Sequence, residues 1–172
     1  MEVTMIVSLH LYAPQLQGKA IKLIKGFWKE HNDEDLTDDD AMTDLGQWIN
    51  EGNKFYFINY NGEIAGFAHL GSRGGAVDWL EHLFVEPEYQ RRGIAGETIT
   101  LLEEIVKEYS MSLYLEVAAR NLEALKLYQR LGYDTLNTVT IRKDLSGTFE
   151  VIERAQIAGH ELKIKKLKPS DI

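Results

Sequence analysis

Residues 83–96 read Leu83-Phe84-Val85-Glu86-Pro87-Glu88-Tyr89-Gln90-Arg91-Arg92-Gly93-Ile94-Ala95-Gly96. An apolar strand runs into a turn with paired arginines and two glycines, and a long amphipathic pattern follows. Backbone N–H groups in the first turn of a helix have no partner inside it. With the helix dipole they attract anions. The chemistry this segment can do is to hold a phosphate-bearing molecule at the end of a strand.

Known phosphate cradles narrow the reading. The segment lacks the Gly-x-x-x-x-Gly-Lys-Ser/Thr of a P-loop and the Gly-x-Gly-x-x-Gly of a dinucleotide fold. Gly93-Ile94-Ala95-Gly96 does fit the Gly-x-x-Gly of a KH nucleic-acid clamp. A formal net charge of −8 opposes that reading, because nucleic-acid binders carry a basic patch. The chain has no cysteine, which excludes disulfides, thiolate metal sites and a cysteine nucleophile. His10, His31, His69, His82 and His160 show no metal-ligand spacing, so no metal is expected.

The elements that must position this segment follow from patterning. Residues 3–11 and 54–60 are β-branched and aromatic, as strands require. Asn61-Gly62 is a two-residue hairpin signal, and residues 63–70 return as the next strand. Ser72-Arg73-Gly74-Gly75 makes a flexible turn before a third strand at 77–85. Helical spacing links Leu16, Ala20, Leu23, Ile24 and Phe27, then Ala41, Leu45, Trp48 and Ile49. Thr37 or Asp38 can cap the second of these helices. Ile94, Ile99, Leu102, Ile105, Val106 and Tyr109 form a third stripe. Residues 112–117 read as a strand, and Asn121 can cap a short helix carrying Leu122, Leu125, Tyr128 and Leu131, closed by Gly132. Residues 133–143 are extended again. Residues 149–157 and 160–167, joined at Ala158-Gly159, read as a final hairpin. Helices between groups of strands predict an α/β or α+β sheet covered by helices.

Taken together, the residues resemble the GNAT superfamily of acyl-CoA-dependent N-acetyltransferases. Its signature Gln/Arg-x-x-Gly-x-Gly/Ala reads here Gln90-Arg91-Arg92-Gly93-Ile94-Ala95. A second stretch also matches: Asn121-Leu122-Glu123-Ala124-Leu125-Lys126-Leu127-Tyr128-Gln129-Arg130-Leu131-Gly132-Tyr133. Two motifs in order are far more specific than one. The resemblance implies one acetyltransferase domain over residues 1–172, firm over about 55–143, with 144–172 as an extension. It implies a GNAT-type fold: a mixed, mostly antiparallel central sheet flanked by helices, with an extra C-terminal β-hairpin.

The resemblance also implies roles. Backbone amides of Arg91, Arg92, Gly93, Ile94, Ala95 and Gly96, beside Gln90, would bind the pyrophosphate of acetyl-CoA. The backbone of Leu83 and Val85, with Phe84 between them, would pair with the pantetheine arm as an added strand. Asn121 would face that arm, or serve only as a cap. Tyr128 matches the family's general acid, donating a proton to the departing thiolate, or is a core aromatic. The attacking amine has a pKa near that of lysine, so a base is needed. Family bases often lie on the 77–85 strand. Alternation sets Trp79, Glu81, Leu83 and Val85 on one face and Asp78, Leu80, His82 and Phe84 on the other. Glu81 is therefore the first candidate; His82 titrates more conveniently, yet parity points it away unless a bulge shifts the register.

With no cysteine, direct attack in a ternary complex is expected, transferring acetyl from acetyl-CoA to a primary amine of a small molecule or peptide. The family's acceptor site is usually walled by the first two helices and their loop, here the acidic stretch 31–40. Those carboxylates suit a cationic acceptor such as a polyamine or an aminoglycoside, or simply form a solvated surface and helix cap. Trp28, Trp48, Tyr56 and Trp79 line a pocket or pack the core. Nucleic acid and membrane are not expected as partners, no apolar run is long enough to span a bilayer, and the N-terminus lacks signal-peptide features. A cytoplasmic location follows as the default. The final hairpin is a candidate for extending a sheet across a homodimer. A non-catalytic acyl-CoA sensor keeps the phosphate turn and needs neither acid nor base.

Overall fold

The structure is a computed structural model, and it describes residues 6–169. The chain forms two compact units, Met1–Glu116 and Val117–Ile172.

The first unit is built on a five-stranded sheet in the order β1-β2-β3-β4-β5. The strands are β1 (Val7–Leu11), β2 (Lys54–Tyr60), β3 (Glu63–Gly71), β4 (Trp79–Val85) and β5 (Tyr114–Leu115). The first four pair antiparallel, and β5 joins β4 in parallel. The expected first strand begins at residue 3, and its residues 3–5 lie outside those described. The Asn61-Gly62 turn forms as its residue types predict, with φ of 51° and 92°, the two left-handed positions of a type I′ hairpin.

Three helices complete the unit: α1 (Gln17–Asn32), α2 (Asp38–Trp48) and α3 (Ile94–Val106). Thr37 is the N-cap of α2, and with Asp40 it closes a capping box. The core on one side of the sheet joins Ala20, Leu23, Ile24 and Phe27 of α1 to Ala41, Leu45 and Trp48 of α2, over Phe55, Phe57, Phe67 and Phe84. Period-2 alternation turns Ile58, Ala68 and Leu70 to the opposite side, where all three are buried. α3 lies across β1 and β4 and buries Ile94, Ile99, Leu102 and Val106. Leu16, Ile49 and Tyr109, expected on helical apolar stripes, are exposed.

The second unit holds α4 (Leu122–Arg130) and a hairpin of β6 (Phe149–Ile157) and β7 (His160–Leu167). Ala158 and Gly159, with φ of 50° and 80°, make its turn. Two strand expectations change. The strand expected at 112–117 contracts to Tyr114–Leu115. Residues 133–143, expected as extended structure, pair with no strand among the described residues. Their apolar residues Leu136, Val139 and Ile141 are exposed: a strand pattern without a ladder partner leaves its apolar residues in water.

Candidate active site

Strand, turn and helix follow one another here in the order the residue pattern predicts. A short 3-10 turn, Pro87–Tyr89, leads out of β4. Arg91 (φ 62°) and Gly93 (φ 80°) then adopt left-handed conformations on either side of Arg92, and Gly93 is the N-cap of α3 with no side chain capping the helix. Alternating backbone handedness of this kind gathers N–H groups into an anion-binding concavity, and the positive end of the α3 dipole adds to it. Glycine at the N-cap takes φ 80° without strain and keeps the approach to the N–H groups clear. Arg91 and Arg92 are exposed. Arg92 donates to Glu88 O at 2.8 Å and lies 5.9 Å from the Tyr60 ring and 5.7 Å from that of Tyr89.

The strand that feeds this turn has an open edge. β5 pairs only with Trp79 and Leu80, so among the described residues no strand covers that edge of β4 at residues 81–85. Glu86 N donates to Ala65 O at 2.8 Å, toward β3. One residue earlier, the polar backbone groups of Val85 therefore point to the other edge. There Gln90 Nε2 donates to Val85 O at 2.9 Å, and Glu30 also accepts from Gln90. Gly66 stands opposite Val85 in the ladder. A Cβ at Gly66 would fall 2.0 Å from Phe84 O, so only glycine lets β3 approach this part of β4.

Glu81 sits in a β-bulge. His69 pairs with His82 and Leu70 with Leu80, which leaves Glu81 as an extra residue in β4. The bulge breaks the simple alternation expected for this strand. Glu81 Cγ would lie 2.9 Å from a Cβ on Gly71, and Gly71 follows Phe67 and His69 at period 2 on the face of α1 and α2. Glu81 thus leaves the face of Leu83 and joins that of His82. Arg73 grips its carboxylate with two contacts, Nε to Oε1 and Nη2 to Oε2, each 2.8 Å. Nη1 of the same guanidinium reaches Glu116 at 2.6 Å, and its Cζ lies 3.9 Å over the Trp79 ring. Trp79 stacks on Tyr114 at 5.0 Å. Hydrogen bonding from Arg73 holds the Glu81 carboxyl below its usual range, against a partly opposing effect of burial.

His82 faces His69 across the ladder, Nδ1 to Nδ1 at 3.0 Å. Both rings stack against Trp48, and Phe27 meets His82 edge-on. Burial lowers both pKa values, to about 3 for His69 and about 4 for His82, so both rings are neutral at pH 7. One of the facing nitrogens must then be protonated and the other bare, which a neutral pair satisfies.

In the second unit, Asn121 Oδ1 accepts from Ala124 N at 3.2 Å and caps α4. Tyr128 lies about two turns further along α4, edge-on to Tyr133 at 6.1 Å, and burial raises its phenol above the ordinary value. Gly132 (φ 94°) ends the helix, with Tyr133 N donating to Tyr128 O at 3.0 Å.

The carboxylates of 31–40 are largely engaged. Lys29 pairs with Asp33 and Asp35, Lys25 with Asp38, and Asp40 completes the α2 capping box. Trp48 is a core residue, Trp28 Nε1 donates to Asp44 at 2.8 Å, and Trp79 belongs to the Arg73 cluster. No group of three or more His, Asp or Glu suited to a metal occurs among the described residues. No helix among them is long and apolar enough to cross a membrane. Sequence reasoning missed Arg73, His69 and Gly66. Arg73 and His69 act through cross-strand partners and the bulge, which no local pattern encodes.

Residues 20–133 match the Acetyltransferase (GNAT) family, and the chain belongs to that family. The spermine/spermidine N(1)-acetyltransferase of Bacillus subtilis (strain 168) is 30% identical over 86 residues, covering 44% of this chain and 56% of that protein. The chain thus spans little more than half the length of this curated relative. The [ribosomal protein bS18]-alanine N-acetyltransferase of Escherichia coli (strain K12) is 32% identical over 111 residues, 63% of this chain and 72% of that one. Among solved structures, the aminoglycoside N-acetyltransferase AAC(6')-Iy in complex with CoA has a TM-score of 0.65 at 18% identity, over 85% of this chain and 99% of that one. A possible acetyltransferase from Clostridium difficile 630 gives 0.66 at 13% identity, over 82% and 99%. These structural likenesses establish the GNAT fold.

Proposed function

We propose that this protein transfers an acetyl group from acetyl-CoA to a primary amine of a small molecule or peptide, by direct attack in a ternary complex. The observation that carries the reading is the open β4 edge at residues 81–85 running into the uncapped start of α3. An extended pantetheine arm can pair along the first while its pyrophosphate meets the N–H groups of the second.

In this reading the amine nitrogen attacks the thioester carbonyl carbon and the C–S bond breaks. The backbone N–H of Val85 polarises the carbonyl oxygen. Glu81 takes the proton lost by the amine, directly or through water, and Tyr128 gives a proton to the departing thiolate. The phenol of Tyr128, raised by burial, stays protonated at neutral pH. Leu83, Phe84 and Asn121 accompany the pantetheine arm, and Gln90 to Gly96 the phosphates. The two units serve one acetyltransferase domain, acting in the cytoplasm. No metal takes part.

The acceptor class we favour is cationic. The chain carries 27 acidic against 19 basic residues, and the relatives include a spermine/spermidine acetyltransferase. An acceptor screen with labelled acetyl-CoA, covering polyamines, aminoglycosides, amino acids and peptides, tests the reading. Label transfer to an amine with release of free thiol supports it. Binding of acetyl-CoA with no transfer to any amine would favour a non-catalytic acyl-CoA sensor, a reading that the full engagement of Glu81 by Arg73 keeps in play.

A further inference from the structure

We propose that Arg73 is a positioning residue that holds the Glu81 carboxylate and competes with the acceptor's ammonium for it. This rests on the reading of Glu81 as the base.

Both oxygens of Glu81 accept from one guanidinium at 2.8 Å. A carboxylate so engaged has a charged fork in the place where an ammonium would approach to give up its proton. Arg73 is itself anchored from other directions, by Glu116 at 2.6 Å and by the Trp79 ring at 3.9 Å. It can therefore loosen its hold on Glu81 without losing every partner. Its attachment permits that movement. Arg73 lies in the turn between β3 and β4, next to Gly74 and Gly75, neither of which has any atom within 4 Å of a would-be Cβ. Ser72 closes this turn through Gly75, so the displacement falls on the Arg73 side chain. The bulge completes the arrangement, since without the extra residue Glu81 would not share the face of Gly71.

The charged and titratable groups around Glu81 are few. Arg73 comes from the turn, His82 from β4 and His69 from β3, while Glu116, just beyond β5, is held through Arg73. The two histidines are neutral at pH 7. Hydrogen bonding from Arg73 is the largest influence on how readily Glu81 accepts a proton, ahead of smaller contributions from His82 and His69, and Arg73 spreads its charge over two carboxylates.

The test compares Arg73→Ala and Arg73→Lys with the unaltered protein. Carbon-13 carboxyl NMR on glutamate-labelled protein, with the Glu81 signal assigned by its loss in Glu81→Gln, follows the titration of Glu81 without any turnover. The expected result is a Glu81 titration displaced to higher pH in Arg73→Ala and partly restored in Arg73→Lys. The acidic limb of the rate–pH profile should move the same way, and KM for the amine should fall while KM for acetyl-CoA stays unchanged. A Glu81 titration at the same pH in the unaltered protein and in folded Arg73→Ala overturns the proposal. If Arg73→Ala does not fold, the same comparison is made with the neutral, longer side chain of Arg73→Gln, where an unmoved titration has the same consequence. If instead Glu81→Gln leaves the rate–pH profile unchanged, the base assignment fails, and the NMR titration still decides what Arg73 does to Glu81.

Discussion

His69 and His82 meet Nδ1 to Nδ1 at 3.0 Å across β3 and β4, roofed by the indole of Trp48. The pair is built into the core side of the sheet, and His69 Nε2 has no hydrogen-bond partner among the described residues. Protonating either ring puts a charge where burial disfavours it, and a second proton puts two like charges in contact.

This geometry sets an acid limit on stability. The unfolded chain protonates its histidines near pH 6.5, the folded chain near 3 and 4. Between those values the unfolded state binds more protons, so stability falls as pH falls below about 6.5, by up to ~1.4 kcal/mol per histidine per pH unit. Thermal melts from pH 8 to pH 4 should show that decline. The double variant His69→Gln/His82→Gln should melt lower at pH 7 yet with a flatter profile below pH 6.5. An equally steep profile in that variant would assign the decline to other groups.

Gly66→Ala tests the close approach of β3 to β4. The new methyl would sit 2.0 Å from Phe84 O and 2.9 Å from Val85 Cα, and both are backbone atoms that cannot swing aside. Forced backbone shifts of this kind cost about 1–3 kcal/mol or more. The melting temperature should drop, and acetyl-CoA affinity should weaken as Val85 is displaced. Gly46→Ala is the control, because its Cβ position is open. Equal melting of the two variants would contradict the geometry.

Tyr128→Phe tests the acid. It removes one oxygen and keeps the aromatic contact with Tyr133. We expect kcat to fall by about a hundredfold with acetyl-CoA affinity unchanged by calorimetry, since the proton is needed only as the thiolate departs. A variant with full turnover would leave Tyr128 as a packing residue.

Local chemistry made much of this architecture legible. Asn61-Gly62 and Ala158-Gly159 need left-handed backbone and take it. Thr37 ahead of an apolar stripe capped α2, and the spacing of Ala20, Leu23, Ile24 and Phe27 marked the buried face of α1. The turn at Gly93 and the cap at Asn121 were equally readable. What was not legible depends on partners distant in sequence. The face of Glu81 is decided by a bulge that exists only in the pairing of β4 with β3. Arg73 reads as part of a flexible turn until the fold brings it to Glu81 and Glu116. Residues 133–143 alternate as a strand does, yet pairing, not alternation, makes a strand.

The central claim is that the turn after β4 binds the phosphates of acetyl-CoA. Isothermal titration of the full chain with acetyl-CoA measures this most directly. The account predicts saturable one-to-one binding, weakened by added salt because the site meets an anion and lost or strongly reduced in Gly93→Val, where a β-branched side chain must adopt φ 80°. Absence of binding at millimolar acetyl-CoA, or equal binding by a folded Gly93→Val variant, would contradict it.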